Sequence, residues 1–341
     1  MCSHVLVTGG AGFIGSHLCA RLWAEGHRVT CLDNFDAFYA PAVKQENIHR
    51  LLTRAGTTGR LVCRQGDIRD QQLLQGLFQE GPIDLVVHLA ALAGVRPSIA
   101  RPLAYSEVNI QGTFNLLECC QQYHVRQLLF GSSSSVYGAR QRVPFAEDDD
   151  VSTPVSPYAA TKRAGELLCY TYSHLYHLRV ACLRFFTVYG PAQRPDLAIH
   201  KFARLMATGQ PIPVYGDGTS QRDYTYVDDI VDGILLAWAW LQRGDTTAGA
   251  YDIFNLGGSH PVPLLELIRL LETSLGCTAR LDWQAEQPGD VPITYADLRK
   301  SATLLGYRPK VDIATGMQRF STWFQKASAS VPEQSQGRLA P

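Results

Sequence analysis

The chain has 341 residues, 46% of them hydrophobic, which is enough for one large α/β domain with a smaller lobe. Lysine plus arginine and aspartate plus glutamate are equal at 31 each, so the formal charge is zero. That balance argues against a general nucleic-acid or anionic-membrane surface and leaves room for a small anionic ligand.

The 9 cysteines are odd in number and form no C-x-x-C pair, which speaks against a disulfide framework or a zinc site. No apolar run approaches the ~18 residues of a membrane span, and the N-terminus has no charged segment followed by an apolar one. The expectation is a soluble protein with free thiols in a reducing cytoplasm and no bound metal.

His4 to Thr8 reads as a buried strand and Gly12 to Glu25 as a helix, with Ile14, Leu18 and Leu22 at helical spacing. Arg28 to Leu32, Leu61 to Gln65, Leu85 to Leu89 and Gln127 to Gly131 read as further strands, with helices between them. Strands alternating with helices imply a parallel sheet covered on both faces. Val180 to Phe185 is one more strand, after which turn residues become frequent. Val227 to Leu241 reads as an apolar helix, Asp252 to Asn255 as a strand and Val262 to Leu275 as a helix. The predicted organisation is a dinucleotide-type domain over residues 1–178 and about 225–256, a substrate lobe over 179–224 and 257–326, and a polar, unfolded tail over 327–341.

Gly9, Gly12 and Gly15 lie three apart at the junction of the first strand and first helix. The first allows the tight turn, the second lets backbone approach a pyrophosphate, and the third allows close helix–strand packing. Asp33 ends the second strand, where a carboxylate binds a ribose 2′-OH and repels a 2′-phosphate, so NAD is expected rather than NADP. Asp67 follows the third strand, within reach of an adenine ring. The fold class is therefore α/β, a Rossmann-type doubly wound parallel sheet with a smaller C-terminal lobe.

Tyr158 and Lys162 are spaced i,i+4 on a helical stretch and so share one face. A free tyrosine ionises near pH 10, and a neighbouring ammonium together with a cationic nicotinamide ring would bring that down. Ser132 to Ser135 follow the fifth strand, at the end of the sheet where ligands sit, and a hydroxyl there can bond a reacting sugar hydroxyl.

Together these residues resemble the extended short-chain dehydrogenase/reductase superfamily, in its NAD-dependent epimerase/dehydratase branch, over nearly the whole chain. The resemblance implies Ser133, Tyr158 and Lys162 as the catalytic set. It also implies cofactor contacts at Phe13, Ile14, Asn34, Ile68, Leu89 and Ala91. Within the branch, Ala93 to Ser98, Arg184 to Pro191, Arg194 to Asp196, Arg222 to Ile230 and Gln287 to Pro292 resemble UDP-glucuronate 4-epimerases. The serine loop lacks the Asp-Glu pair of sugar dehydratases and the Glu of UDP-glucuronate decarboxylases. Thr187 and Gln287 stand where UDP-glucose epimerases usually carry Asn and Arg.

The implied reaction is C4 epimerisation of UDP-glucuronate to UDP-galacturonate through a 4-keto sugar, in a homodimer. By the same resemblance Thr187, Ser134, Ser135, Arg194 and Arg96 are donors to the sugar carboxylate. Arg222 pairs with the diphosphate, Asp290 with the ribose, and Val214 and Tyr215 flank the uracil. The competing readings are a UDP-glucose or UDP-N-acetylglucosamine 4-epimerase, a UDP-glucuronate decarboxylase, and a non-catalytic NAD-sensing scaffold.

Overall fold

The computed structural model describes residues 2–56, 59–244, 249–286 and 291–329. Twelve strands occur among them: β1 His4–Thr8, β2 Arg28–Asp33, β3 Leu61–Gln65, β4 Leu85–His88, β5 Gln127–Ser133, β6 Arg179–Phe185, β7 Thr187–Tyr189, β8 Ile212–Tyr215, β9 Gln221–Tyr226, β10 Ala250–Leu256, β11 Pro261–Pro263 and β12 Leu281–Gln284. Seven of them form one sheet in the order β10-β6-β5-β4-β1-β2-β3, every pair parallel. Chain order reverses between β1 and β4, and such a reversal opens a crevice at the carboxyl ends of the strands.

Alternation along the strands feeds two cores. Val5, Val7, Leu129, Ala181 and Leu183 join Leu18, Leu22, Ile230 and Ile234 on one face. Leu6, Leu128, Phe130, Val180 and Cys182 join Leu74, Leu77, Leu116 and Leu117 on the other. A sheet buried on both faces explains why its strands read as unbroken apolar runs. β6 lies between β5 and β10. It therefore belongs to this sheet and not to the second lobe, because the turn-rich composition begins only after β7.

Outside this sheet stand a three-stranded sheet, β11-β9-β7, and a two-stranded one, β12-β8. Residues 262–275, read as one helix, are in fact the end of β11 followed by the helix Leu264–Leu275. Pro261 and Pro263 favour extended backbone, and Pro263 stands at the helix N-cap with β geometry. The tail expected from 327 is helical at first, since the last helix runs Ile313–Ala329; residues 330–341 lie outside the described ones. Among the described residues no helix is long and apolar enough to cross a membrane.

Candidate active site

A cavity of about 410 Å³ opens at the carboxyl ends of β1, β2, β4 and β5 and reaches the start of β7. It is lined by Gly9, Gly12, Phe13, Ile14, Gly15, Asp33, Asn34, Asp67, Ile68, Leu89 and Ala91 at one end and by Ser134, Ser135, Thr187 and Arg194 at the other. Ser133, Tyr158 and Lys162 also line it.

The first end is shaped by what its glycines omit. A Cβ on Gly9, whose φ is +70°, would stand 2.7 Å from the Ala90 nitrogen, and one on Gly15 would stand 2.2 Å from the Gly9 oxygen. The helix Phe13–Ala24 starts at Gly12 with no side-chain cap and no acidic residue in its first turn. Its leading N–H groups and its positive dipole end are left for an anion, as a diphosphate requires.

The Asp33 carboxylate accepts the Ala11 and Phe35 amides at 3.1 and 2.9 Å, so it pins the glycine turn while facing the cavity. Asp67 accepts bonds from Arg69 and, at 2.8 Å, from Asn34. The Arg69 hydrogen bonds carry its carboxyl down to about 2, against the effect of partial burial, so it is ionised at neutral pH. These features suit NAD.

Lys44 and Tyr39, which no motif marks, also line this end. Lys44 Nζ lies 3.3 Å from Asp33 and over the Tyr39 ring. The aromatic pair Phe38-Tyr39 in the loop after β2 was the available signal for one of them; Lys44, in the first turns of the helix Pro41–Ala55, carried none.

The middle of the cavity is set by the helix Pro157–Tyr176. Ser156 caps it by accepting the Ala159 amide at 3.1 Å, Pro157 opens it, and such a cap stabilises by ~1 kcal/mol. A Cβ on Gly165 would lie 2.3 Å from the Phe130 ring, so glycine lets this helix rest on β5. Lys162 is buried there and donates to the Gly131 oxygen at 2.7 Å.

Burial lowers the Lys162 ammonium to about 8. Burial also raises the Tyr158 phenol, against a Ser133 hydrogen bond and the Arg194 charge that lower it. Both shifts disfavour a phenolate beside an ammonium. The pair becomes a base near neutral pH only when a further positive charge binds in the cavity, which is what an oxidised nicotinamide ring carries.

Asn109 is a further residue with no motif to announce it. It sits in a widened helical turn, Glu107–Gln111, and holds both backbone groups of Leu92 at 2.8 and 2.9 Å. Its amide also donates to Thr161 at 3.0 Å, tying the loop after β4 to the helix of Tyr158.

At the other end Ser133 caps the short turn Ser134–Tyr137, accepting the Ser135 amide at 3.1 Å. The Arg194 guanidinium bonds Asp196 at 3.0 and 2.6 Å and stacks 5.0 Å from the Phe38 ring centre. Phe38 and Asp196 also line the cavity.

Arg96, Val214, Tyr215 and Arg222 are not among the lining residues. Arg96 instead stacks 4.8 Å over the Tyr215 ring. Strand alternation turns Val214 into the core and leaves Tyr215 half-exposed. Arg222 donates to the Gln221 oxygen at 2.8 Å. Asp290 lies outside the described residues.

Comparison with known proteins follows the same lines. The chain is 41% identical over 331 residues to UDP-glucuronate 4-epimerase 4 of Arabidopsis thaliana, covering 94% of this chain and 75% of that one. It is 40% identical to the UDP-glucuronate 4-epimerase of Thermodesulfobacterium geofontis, over 94% and 95% of the two chains. The structure of UDP-glucuronic acid 4-epimerase from Bacillus cereus, in complex with UDP-glucuronic acid and NAD, superposes with a TM-score of 0.85 at 36% identity, over 95% and 99% of the chains. Residues 5–257 match the NAD dependent epimerase/dehydratase family, and to that family this chain belongs.

Proposed function

We propose that this chain inverts carbon 4 of UDP-glucuronate, giving UDP-galacturonate through a 4-keto intermediate. The observation that carries this reading is the cavity itself. Tyr158, Lys162 and Ser133 stand between a glycine-lined anion cradle and a pocket containing Thr187 and Arg194. Bound NAD supplies reversible acceptance of hydride from carbon 4.

Tyr158 takes the proton of the 4-hydroxyl, Ser133 bonds that oxygen, and Lys162 holds the phenolate by its charge. The planar keto sugar turns over in the pocket and Tyr158 returns the proton on completion. Arg194, Thr187, Ser134 and Ser135 bond the carboxylate. A 4-keto sugar with a carboxylate on carbon 5 is a β-keto acid. Fixing that carboxylate in the wrong plane for C–C cleavage keeps its carbon dioxide attached. Arg222 takes the diphosphate, Asp290 the ribose and Tyr215 the uracil, with Arg96 beside it on the Tyr215 ring, while Val214 is packed in the core.

The chain acts as a homodimer. Ile99 and Leu103 are 52% and 78% exposed, and Leu167 and Tyr170 are 51% and 53% exposed on the Tyr158 helix that packs beside them. A second copy of the same helices is the partner that such a self-complementary apolar face suits. The nine thiols, all free, fit a reducing cytoplasm.

The test is incubation of the purified protein with UDP-glucuronate, followed by proton NMR of the sugar. UDP-galacturonate is expected. UDP-xylose or a 4-keto pentose identifies a decarboxylase, and turnover of UDP-glucose without turnover of UDP-glucuronate ends the acid-sugar assignment.

A further inference from the structure

Three successive residues at the end of β5 are met by three residues of the helix Pro157–Tyr176. Gly131 accepts Lys162 at 2.7 Å. Ser132 donates to Glu166 at 2.6 Å. Ser133 lines the cavity with Tyr158, where it lowers the phenol against burial. Tyr158, Lys162 and Glu166 follow each other at intervals of four and share a helix face. The outer two contacts belong to the chemistry already described. The middle one belongs to nothing described so far, yet Glu166 is 0% exposed.

A buried carboxylate is costly unless it is fully bonded, and this one is. Arg184 of β6, 1% exposed, donates to it through Nε and Nη2 at 2.9 and 3.0 Å. Arg163 adds a bond at 2.9 Å. Ser132 and Arg184 are register partners on adjacent strands, so both reach the carboxylate from one level of the sheet. Burial alone would push this carboxyl up, but the Arg184 contacts prevail and hold it below its ordinary value. Apolar replacements of buried ion pairs are often neutral or stabilising, so the case for this pair rests on the geometry it fixes.

We infer that Glu166, through Ser132 and clamped by Arg184, is a positioning residue that sets the height of the Tyr158–Lys162 helix against the catalytic serine. It anchors the helix at Ser132, between Gly131 and Ser133, so Tyr158 stays beside Ser133 while the sugar turns over between two faces. This inference rests on the epimerase reading for its kinetic readout, and on no assumption about substrate for its spectroscopic one.

Glu166→Gln keeps the shape and loses the double acceptance from Arg184; Ser132→Ala removes a single hydroxyl. In Glu166→Gln, kcat on UDP-glucuronate falls about a hundredfold, and in Ser132→Ala about tenfold. KM and bound NAD stay within about twofold of the unmodified protein in both. The phenolate of Tyr158 is followed by difference absorbance of the NAD-loaded protein without sugar, with Tyr158→Phe as the blank. Its titration midpoint rises by about one pH unit in both variants. The other groups facing the pair, unchanged by either substitution, are Tyr105 and Arg194 beside Tyr158 and His88 and Cys169 beside Lys162.

The inference is overturned if either folded variant keeps kcat within about twofold with an unmoved titration. It is equally overturned if kcat falls only in step with NAD content and melting temperature, since that marks a purely structural ion pair. Should Glu166→Gln not fold, Ser132→Ala decides alone. An unmodified protein that turns over no UDP-sugar ends the epimerase reading, while the titration still decides the positioning.

Discussion

The two ends of the cavity are made differently. The cofactor end is built on backbone, a glycine turn and helix N–H groups of the first β-α-β unit with Asp33 at its end, and is completed by residues after β3 and β4. The sugar end is mostly side chains from separate segments, the serine loop, the start of β7 and the loop carrying Arg194. A backbone cradle recognises a shape common to many dinucleotides, whereas dispersed side chains can change one at a time. Cofactor use should therefore fail all at once and sugar choice by degrees.

The substitution on the boundary has the largest effect. Tyr158→Phe lowers turnover about a thousandfold, the ordinary worth of a positioned acid–base group, while NAD content and UDP-sugar affinity persist. Rapid-quench NMR of the sugar measures it. If binding fell with turnover, the two ends would not be separable.

Gly15→Ala comes next. The added Cβ would collide with the Gly9 oxygen, and overpacking of this kind costs about 1–3 kcal/mol. Protein recovered from cells should contain little NAD yet still bind UDP in calorimetry.

Arg194→Ala acts first at the sugar end, and it also removes a charge that lowers the Tyr158 phenol and a contact with the Phe38 ring. Loss of bonds to a charged group predicts about a ten- to hundredfold weaker affinity for UDP-glucuronate, little change for UDP-glucose, and some carbon dioxide release. Unchanged glucuronate binding and turnover would remove Arg194 from the carboxylate pocket.

The smallest effect is on pH. Lys162 titrates at about 8, below a free lysine, because burial disfavours its charge. Its ammonium is present below that pH, so turnover should decline as pH rises through about 8. For stability the sign is opposite. The lowered value favours the fold above the free lysine's range, and that contribution is lost as pH falls through about 8. Paired rate and melting profiles check both.

The same contrast governs what could be read without coordinates. β1 and β3 were legible residue for residue, β1 because a buried parallel strand is an apolar run and β3, at the sheet edge, from its leading Leu61, Val62 and Cys63. Gly9, Gly12, Gly15 and Asp33 were legible because local backbone geometry dictates them. Residues 262–275 misled because Val262 fits both a strand and a helical period, and Pro263 was the unused stop signal. Asn109 and the contact of Phe38 with Arg194 were invisible because each joins residues far apart along the chain, and a single sequence does not encode such pairings in its spacing. Arg96 and Tyr215 were legible as residue types but not as each other's neighbours.

The loop carrying Arg194 touches the dinucleotide side at two points, the His17 ring against the Pro191 oxygen and the Arg194 guanidinium on Phe38. The first is an ordinary hydrogen bond to backbone and tolerates almost any sequence in the loop. The second is a contact between two replaceable side chains. A chain that exchanged Arg194 and Phe38 together would reshape the sugar end while the glycine turn went on unaltered. The fold thus separates what descent must preserve from what it is free to try.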